Sequence, residues 1–149
     1  MLKPTKILVP TDFSGHSDRA LAQGLDIAKQ YKAKLILLHV LPEDMYRSGL
    51  ELIFLEEKVR HEIRDRATDS AQESLQKQLA NFPQSKEVEA AAHVRWGVPY
   101  DEILKEAEEQ GIDLIVIASL GRSNISRYLM GNVARNVLKG STCPVLLTK

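Results

Sequence analysis

Along the chain, short apolar runs rich in leucine and β-branched residues alternate with stretches whose apolar positions recur at helical spacing. Lys6–Val9 reads as a first strand, stopped by Pro10. Asp12 or Ser14 then caps a helix whose apolar face is Ala20, Leu21, Gly24, Leu25 and Ala28. Leu35–Val40 is continuously apolar, as a strand covered on both faces should be, and Pro42 closes it. A long helix is predicted from about Leu52 to Leu79. Leu55, Val59, Ile63, Ala67, Ala71, Leu75 and Leu79 recur there every four residues. Each such step drifts about 40° around a helix of 3.6 residues per turn, so the stripe winds. A bend or a change of packing partner midway is therefore expected.

Val88–Val94 alternates as a third strand. Gly97-Val98-Pro99 turns into a helix over Asp101–Gln110, with Pro99 near its first turn and Gly111 at its end. Ile112–Ala118 is the fourth strand, Val133–Lys139 the last helix, and Pro144–Thr148 the fifth strand. Strict alternation of strand and helix means an α/β fold. It predicts an open five-stranded parallel sheet with helices on both faces and right-handed crossovers.

Composition narrows the function classes. A chain of 149 residues, read as one domain over 1–149, is long enough for a core. Twenty Lys and Arg balance twenty Asp and Glu, which argues against a general nucleic-acid or membrane-surface binder. No apolar run approaches the roughly 20 residues of a membrane span, and no signal region follows Met1. Cys143 is the one cysteine, so no intrachain disulfide can form; it reads as a small core residue. A cytoplasmic location is expected.

Neutral overall, the chain is locally biased at its end. From Gly121 onward it has five basic residues (Arg122, Arg127, Arg135, Lys139, Lys149) and no acidic one. There the fourth strand feeds Ser119-Leu120-Gly121-Arg122-Ser123-Asn124, and Gly131-Asn132-Val133-Ala134 opens a helix. Loop amides and a helix N-terminus favour an anion, and glycine lets a phosphate approach the backbone. In an open parallel sheet, ligands sit beyond the carboxyl ends of the strands where the strand order reverses. Two loops suit that place: Pro10-Thr11-Asp12-Phe13-Ser14 and the long connection from Ala118 to Asn132.

These residues carry a resemblance to the universal stress protein family. It rests on Lys6–Ser14, His39-Val40, Gly97-Val98-Pro99, and Ser119 to Thr148 ending in Cys143-Pro144-Val145-Leu146-Leu147. The family's nucleotide motif is Gly-x-x-Gly, nine residues, then Gly with Ser or Thr. Here it reads Ala118-Ser119-Leu120-Gly121, nine residues, then Gly131-Asn132. The spacing is intact, but Ala118 replaces the first glycine and Asn132 the hydroxyl residue. Asn132 keeps an N–H donor and is a good helix cap.

The resemblance implies strand order 3-2-1-4-5, the adenine nucleotide alpha hydrolase-like arrangement, and a nucleotide-binding Rossmann-like protein. It implies ATP, with Mg²⁺ as a possible companion. Val40 would offer backbone hydrogen bonds to adenine, and Asp12 would reach the ribose or a metal. Pro10, Thr11, Ala118 and Ser119 would line the site. Gly121, Arg122, Ser123, Gly131, Asn132 and Val133 would carry the phosphates. It further implies a stress-response regulator that is a homodimer through strand 143–148, with an unnamed protein partner.

The residues leave rivals open. Asp12 also reads as a plain helix cap, Arg122 as a solvated charge, and His39 as a packed residue at a strand end. His16, His61 and His93 are scattered without metal-ligand spacing. No Gly-x-x-x-x-Gly-Lys-Ser/Thr motif occurs. Ser119, Ser123 and Ser126 lack a recognisable base, so any ATP hydrolysis should be slow. One rival is a module of the same fold that binds no nucleotide. Another is an ATP pyrophosphatase-like enzyme, for which the first loop supplies only Asp12.

Overall fold

The computed structural model describes residues 1–43, 56–121 and 129–149. Its elements run β1 (Lys6–Pro10), α1 (Gly15–Tyr31), β2 (Lys34–Leu41), α2 (Glu57–Ala80), a 3₁₀ turn (Pro83–Glu87), β3 (Ala90–Trp96), α3 (Pro99–Glu109), β4 (Leu114–Ala118), α4 (Asn132–Gly140) and β5 (Val145–Thr148). The five strands are parallel in the order β3-β2-β1-β4-β5, as expected.

Side chains alternate across each strand, which splits the core into two layers. Ile7, Val9, Leu35, Leu37, Leu114 and Val116 face α1 and α2, meeting Leu21, Leu25, Leu75 and Leu79. Leu8, Ile36, Leu38, Ile115 and Ile117 face α3 and α4, meeting Ile103, Ala134 and Val137. Because β1 and β4 are buried on both sides, their sequences are continuously apolar. At Gly24 a Cβ would stand 2.7 Å from Val9 Cγ2, so α1 lies closer to the sheet than any larger residue would allow.

Ser14 is the N-cap of α1, its hydroxyl accepting from Ser17 N at 3.3 Å. The helix ends on Lys32 in the left-handed region (φ 57°), which sends its N–H back to Ala28 O without a glycine.

The winding stripe of α2 is resolved by a change of partner. Ala71, Leu75 and Leu79 are buried, whereas Val59 and Ile63 are only half-buried. The helix is unbroken from Glu57 to Ala80; the expected start at Leu52 and Leu55 falls outside the described residues. Its middle lies by the β3 edge. Thr68 Oγ1 accepts from Trp96 Nε1 at 2.9 Å, and the Arg64 guanidinium stands 4.8 Å from the Trp96 ring centre.

The third strand starts at Ala90, not Val88. Pro83–Glu87 forms a 3₁₀ turn that spends the Val88 N–H on Ser85 O. An ion cluster then fixes α3 to β3. The Arg95 guanidinium reaches Glu102, Glu106 and Glu109 at 2.7, 2.8 and 2.9 Å, and His93 Nδ1 meets the other oxygen of Glu106. Glu106 is 2% exposed, so this cluster is what makes its burial tolerable. Gly97 lies beneath Glu102 at φ 147°, where a Cβ would meet Glu102 Cγ at 2.7 Å.

Candidate functional site

A crevice of about 690 Å³ lies beyond the carboxyl ends of β2, β1 and β4. Adjacent strands are spaced about 4.8 Å, so from β4 across β1 to β2 is roughly 10 Å. Pro10, Thr11 and Asp12 line it at β1, Val40 at β2, and Ala118, Ser119 and Gly121 at β4. Gly131, Asn132 and Val133 line it at the start of α4. Arg122 and Ser123 lie outside the described residues.

The β1 loop is held by a buried polar network. Thr11 N donates to Leu38 O at 2.8 Å, extending the pairing beyond the strand. The Thr11 hydroxyl donates to Gln78 Oε1 at 2.9 Å and accepts from Phe13 N at 3.0 Å. Gln78 Nε2 donates in turn to Asp18 Oδ1 at 2.8 Å. Gln78 and Thr11 are 6% and 7% exposed, so their pairing removes a desolvation cost that neither could bear alone. Phe13 takes φ 64°, uncommon for a bulky residue, and packs against His39 with the rings tilted by 41° and their centres 4.5 Å apart. His39 Nδ1 donates to Thr11 O at 2.7 Å, a packed strand-end role.

Asp12 is tied to the same loop, but it is not the helix cap. Its Oδ1 accepts from Ser14 N at 3.0 Å and from the Ser17 hydroxyl at 3.2 Å. Its Oδ2 faces the β4 loop, where a Cβ on Gly121 would stand 2.8 Å away.

Across the crevice, the β4 loop closes on itself. Gly131 N donates to Ser119 O at 2.7 Å, and a Cβ at Gly131 would come within 3.1 Å of that oxygen. The glycine is needed for this close approach, since its φ of −60° is ordinary. Asn132 is not the cap of α4. Gly131 holds that position, no side chain caps the helix, and Asn132 Oδ1 accepts from Asn136 Nδ2 at 3.2 Å. The N-terminal amides of α4 therefore face the crevice mouth without a side-chain acceptor among the described residues. Ala118 packs against the α1-side core, so its extra methyl finds apolar neighbours.

None of the basic residues of the chain end lines the crevice among the described residues; Arg135 is exposed on α4. Sequence patterning also missed a wall of the crevice. Ala67, Ser70, Ala71 and Ser74 of α2 line one side, and Pro99 and Ile103 of α3 the other. The i, i+3, i+4, i+7 spacing of the α2 residues was the available signal.

Comparison with known proteins matches this arrangement. Residues 4–149 match the model of the universal stress protein family. The chain belongs to the universal stress protein family. Universal stress protein MJ0577 of Methanocaldococcus jannaschii is 34% identical, with 97% of this chain and 94% of that protein covered. The solved structure of MJ0577 superposes with a TM-score of 0.79, at 31% identity over 99% of this chain and 97% of that one. The fold recurs in an Archaeoglobus fulgidus universal stress protein solved in complex with dAMP (TM-score 0.67, 24% identity, 99% and 100% covered). It recurs again in a universal stress protein solved in complex with cAMP (TM-score 0.68, 23% identity, 99% and 98% covered). Those two universal stress proteins thus bind adenine nucleotides.

Proposed function

We propose that this family member binds ATP, with or without Mg²⁺, in the crevice between the β1 and β4 loops. The reading makes it a cytoplasmic stress-response regulator whose surface or partner choice follows nucleotide occupancy. The observation that carries it is the glycine-tight β4 loop, closed by the Gly131–Ser119 bond and set beside the uncapped N-terminus of α4. Phosphates on Gly121, Arg122, Ser123, Gly131, Asn132 and Val133 place the nucleoside over β1, with adenine at the Val40 backbone. Asp12 then lies where it meets the ribose or a bound Mg²⁺. Adenine nucleotides in two structures of the family support the same ligand class.

Hydrolysis is expected to be slow. Asp12 is the one carboxylate among the described lining residues, and its Oδ1 is committed to Ser14 and Ser17.

The proposal includes a homodimer through residues 143–148. The two sheet edges differ. At β3, Glu89 O and Gly97 N turn to β2, so Ala92 faces outward, and Gln72 Nε2 of α2 caps its carbonyl at 3.1 Å. At β5, Pro144 O and Thr148 O turn to β4, which leaves the backbone groups of Val145 and Leu147 facing outward. Antiparallel pairing with the same strand of a second copy satisfies them.

The deciding experiment is the nucleotide content of protein purified without added ligand, read by mass spectrometry after denaturation. Calorimetric titration with ATP and Mg²⁺ at millimolar concentration accompanies it. Bound adenine nucleotide or a saturable heat supports the reading. Neither signal leaves the chain a non-nucleotide-binding interaction module of the same fold.

A further inference from the structure

The α2 wall of the crevice carries chemistry that the family motif does not include. Ser70 and Ser74 stand one helical turn apart on the crevice-lining side of α2. Neither hydroxyl has a hydrogen-bond partner among the described residues, while Thr68 on the same helix returns its hydroxyl to Arg64 O at 2.9 Å. The opposite wall, Pro99 and Ile103, offers no side-chain donor or acceptor. The two walls flank the β2 end of the crevice, roughly 10 Å from the β4 loop by strand spacing. That is about the span from a nucleotide's phosphate to its base.

We infer that Ser70 and Ser74 are specificity-determining residues, hydrogen-bonding the N7 and 6-amino edge of a purine in this crevice. The inference rests on the adenine-nucleotide reading above. With the Val40 backbone meeting one polar edge of the base, the second polar edge needs donors and acceptors from a wall. The α2 wall supplies both kinds, because a hydroxyl donates to N7 and accepts from an amino group. A base lacking these groups leaves the hydroxyls unmatched once water is displaced, which is how such a site discriminates.

The test compares wild type with Ser70→Ala, Ser74→Ala and the double variant by calorimetry, using ATP, 7-deaza-ATP and 2′-deoxy-ATP. Alanine is a better helix former than serine, so α2 should stay folded, which circular dichroism checks. Wild type should bind 7-deaza-ATP roughly fivefold more weakly than ATP, and each serine loss should weaken ATP by a similar factor. In the double variant the two ligands should bind alike. An unchanged ATP affinity in the double variant overturns the inference and leaves the adenine-nucleotide reading standing. So does a 7-deaza penalty that survives in it, or a loss that tracks the 2′-deoxy substitution instead. Absence of any nucleotide binding by wild type overturns both.

Discussion

The carboxylate Oδ2 of Asp12 lies 2.8 Å from the point where a Cβ on Gly121 would stand. The two residues are far apart in sequence and meet because β1 and β4 are neighbours in the sheet. Gly121 is therefore required by the carboxylate as much as by any phosphate. Asp12 has little room to yield, since its Oδ1 is held by Ser14 N and the Ser17 hydroxyl.

Gly121→Ala should accordingly push the β4 loop away from the β1 loop. Overpacking of this kind costs about 1–3 kcal/mol where a site is rigid. Here it should appear as a roughly tenfold or greater loss of ATP affinity, because a displaced Gly121 no longer meets the phosphates. Any accompanying loss of stability should lower the thermal unfolding midpoint by about 2–4 °C per kcal/mol. Calorimetry beside differential scanning fluorimetry reads both, and an alanine variant that binds ATP like wild type removes the Asp12–Gly121 contact from the account.

Gly131→Val places two methyl groups beyond a Cβ already 3.1 Å from Ser119 O. The Gly131–Ser119 closure should open and nucleotide binding should be lost. Replacing glycine at an N-cap by an apolar residue costs about 1 kcal/mol, so the circular dichroism spectrum should persist. Asn132→Ser should preserve or strengthen binding by restoring a hydroxyl at the first turn of α4. A serine variant that binds clearly more weakly means that this helix start does not follow the family motif.

Much of this arrangement was legible because burial on two faces writes itself as apolar runs. Ile7–Val9, Leu35–Leu38 and Leu114–Ile117 name the central strands, and Gly121 with Gly131 names the loop between them. What stayed hidden depends on contacts distant in sequence. Gln78 sits between Lys77 and Leu79, two residues after another glutamine, and gives no sign that it will bridge Thr11 and Asp18. His93, Arg95 and Glu106 meet only because α3 folds back over β3. Ala67 and Ala71 fit an ordinary core stripe, yet they border the crevice because α2 runs past its mouth. Asn132 resembles a helix cap, but the Gly131 N–H bond to Ser119 moves the cap back by one residue.

Asp113 ties the starts of β1 and β4 together. Its carboxylate accepts from Thr5 N at 3.0 and 2.9 Å, from the Thr5 hydroxyl at 2.6 Å and from Lys6 N at 3.0 Å. Burial pushes its pKa up, but the Thr5 hydroxyl and the Lys6 and Thr5 amides together hold it below the usual carboxylate value. A lowered carboxylate pKa adds stability that is present above the unfolded value of about 3.9 and lost as pH falls through the folded value. Asp113→Ala should cost about 1–2 kcal/mol near pH 7. The gap from wild type should close as pH drops below about 4. Urea titrations at pH 7, 5 and 3 measure it, and a gap that stays constant across them excludes this carboxylate as the source.

Leu146 is the residue on which the proposed dimer is best tested. Leu146 and Leu147 both belong to the strand proposed for the subunit contact, and their surroundings separate them. Leu147 packs beneath α3 and α4, whereas Leu146 is 37% exposed on the outermost strand. A lysine at 147 would disturb the core and confuse misfolding with dissociation. At 146 it leaves the monomer's interior intact and places a charge beside the outward-facing backbone of Val145 and Leu147. Leu146→Lys should therefore shift the mass measured by light scattering on size-exclusion chromatography from dimer toward monomer at tens of micromolar, without changing the circular dichroism spectrum. A buried unpaired ammonium costs several kcal/mol, enough to dissociate an interface built on one short strand. A wild-type monomer, or a dimer that the lysine leaves untouched, places the subunit contact somewhere other than β5.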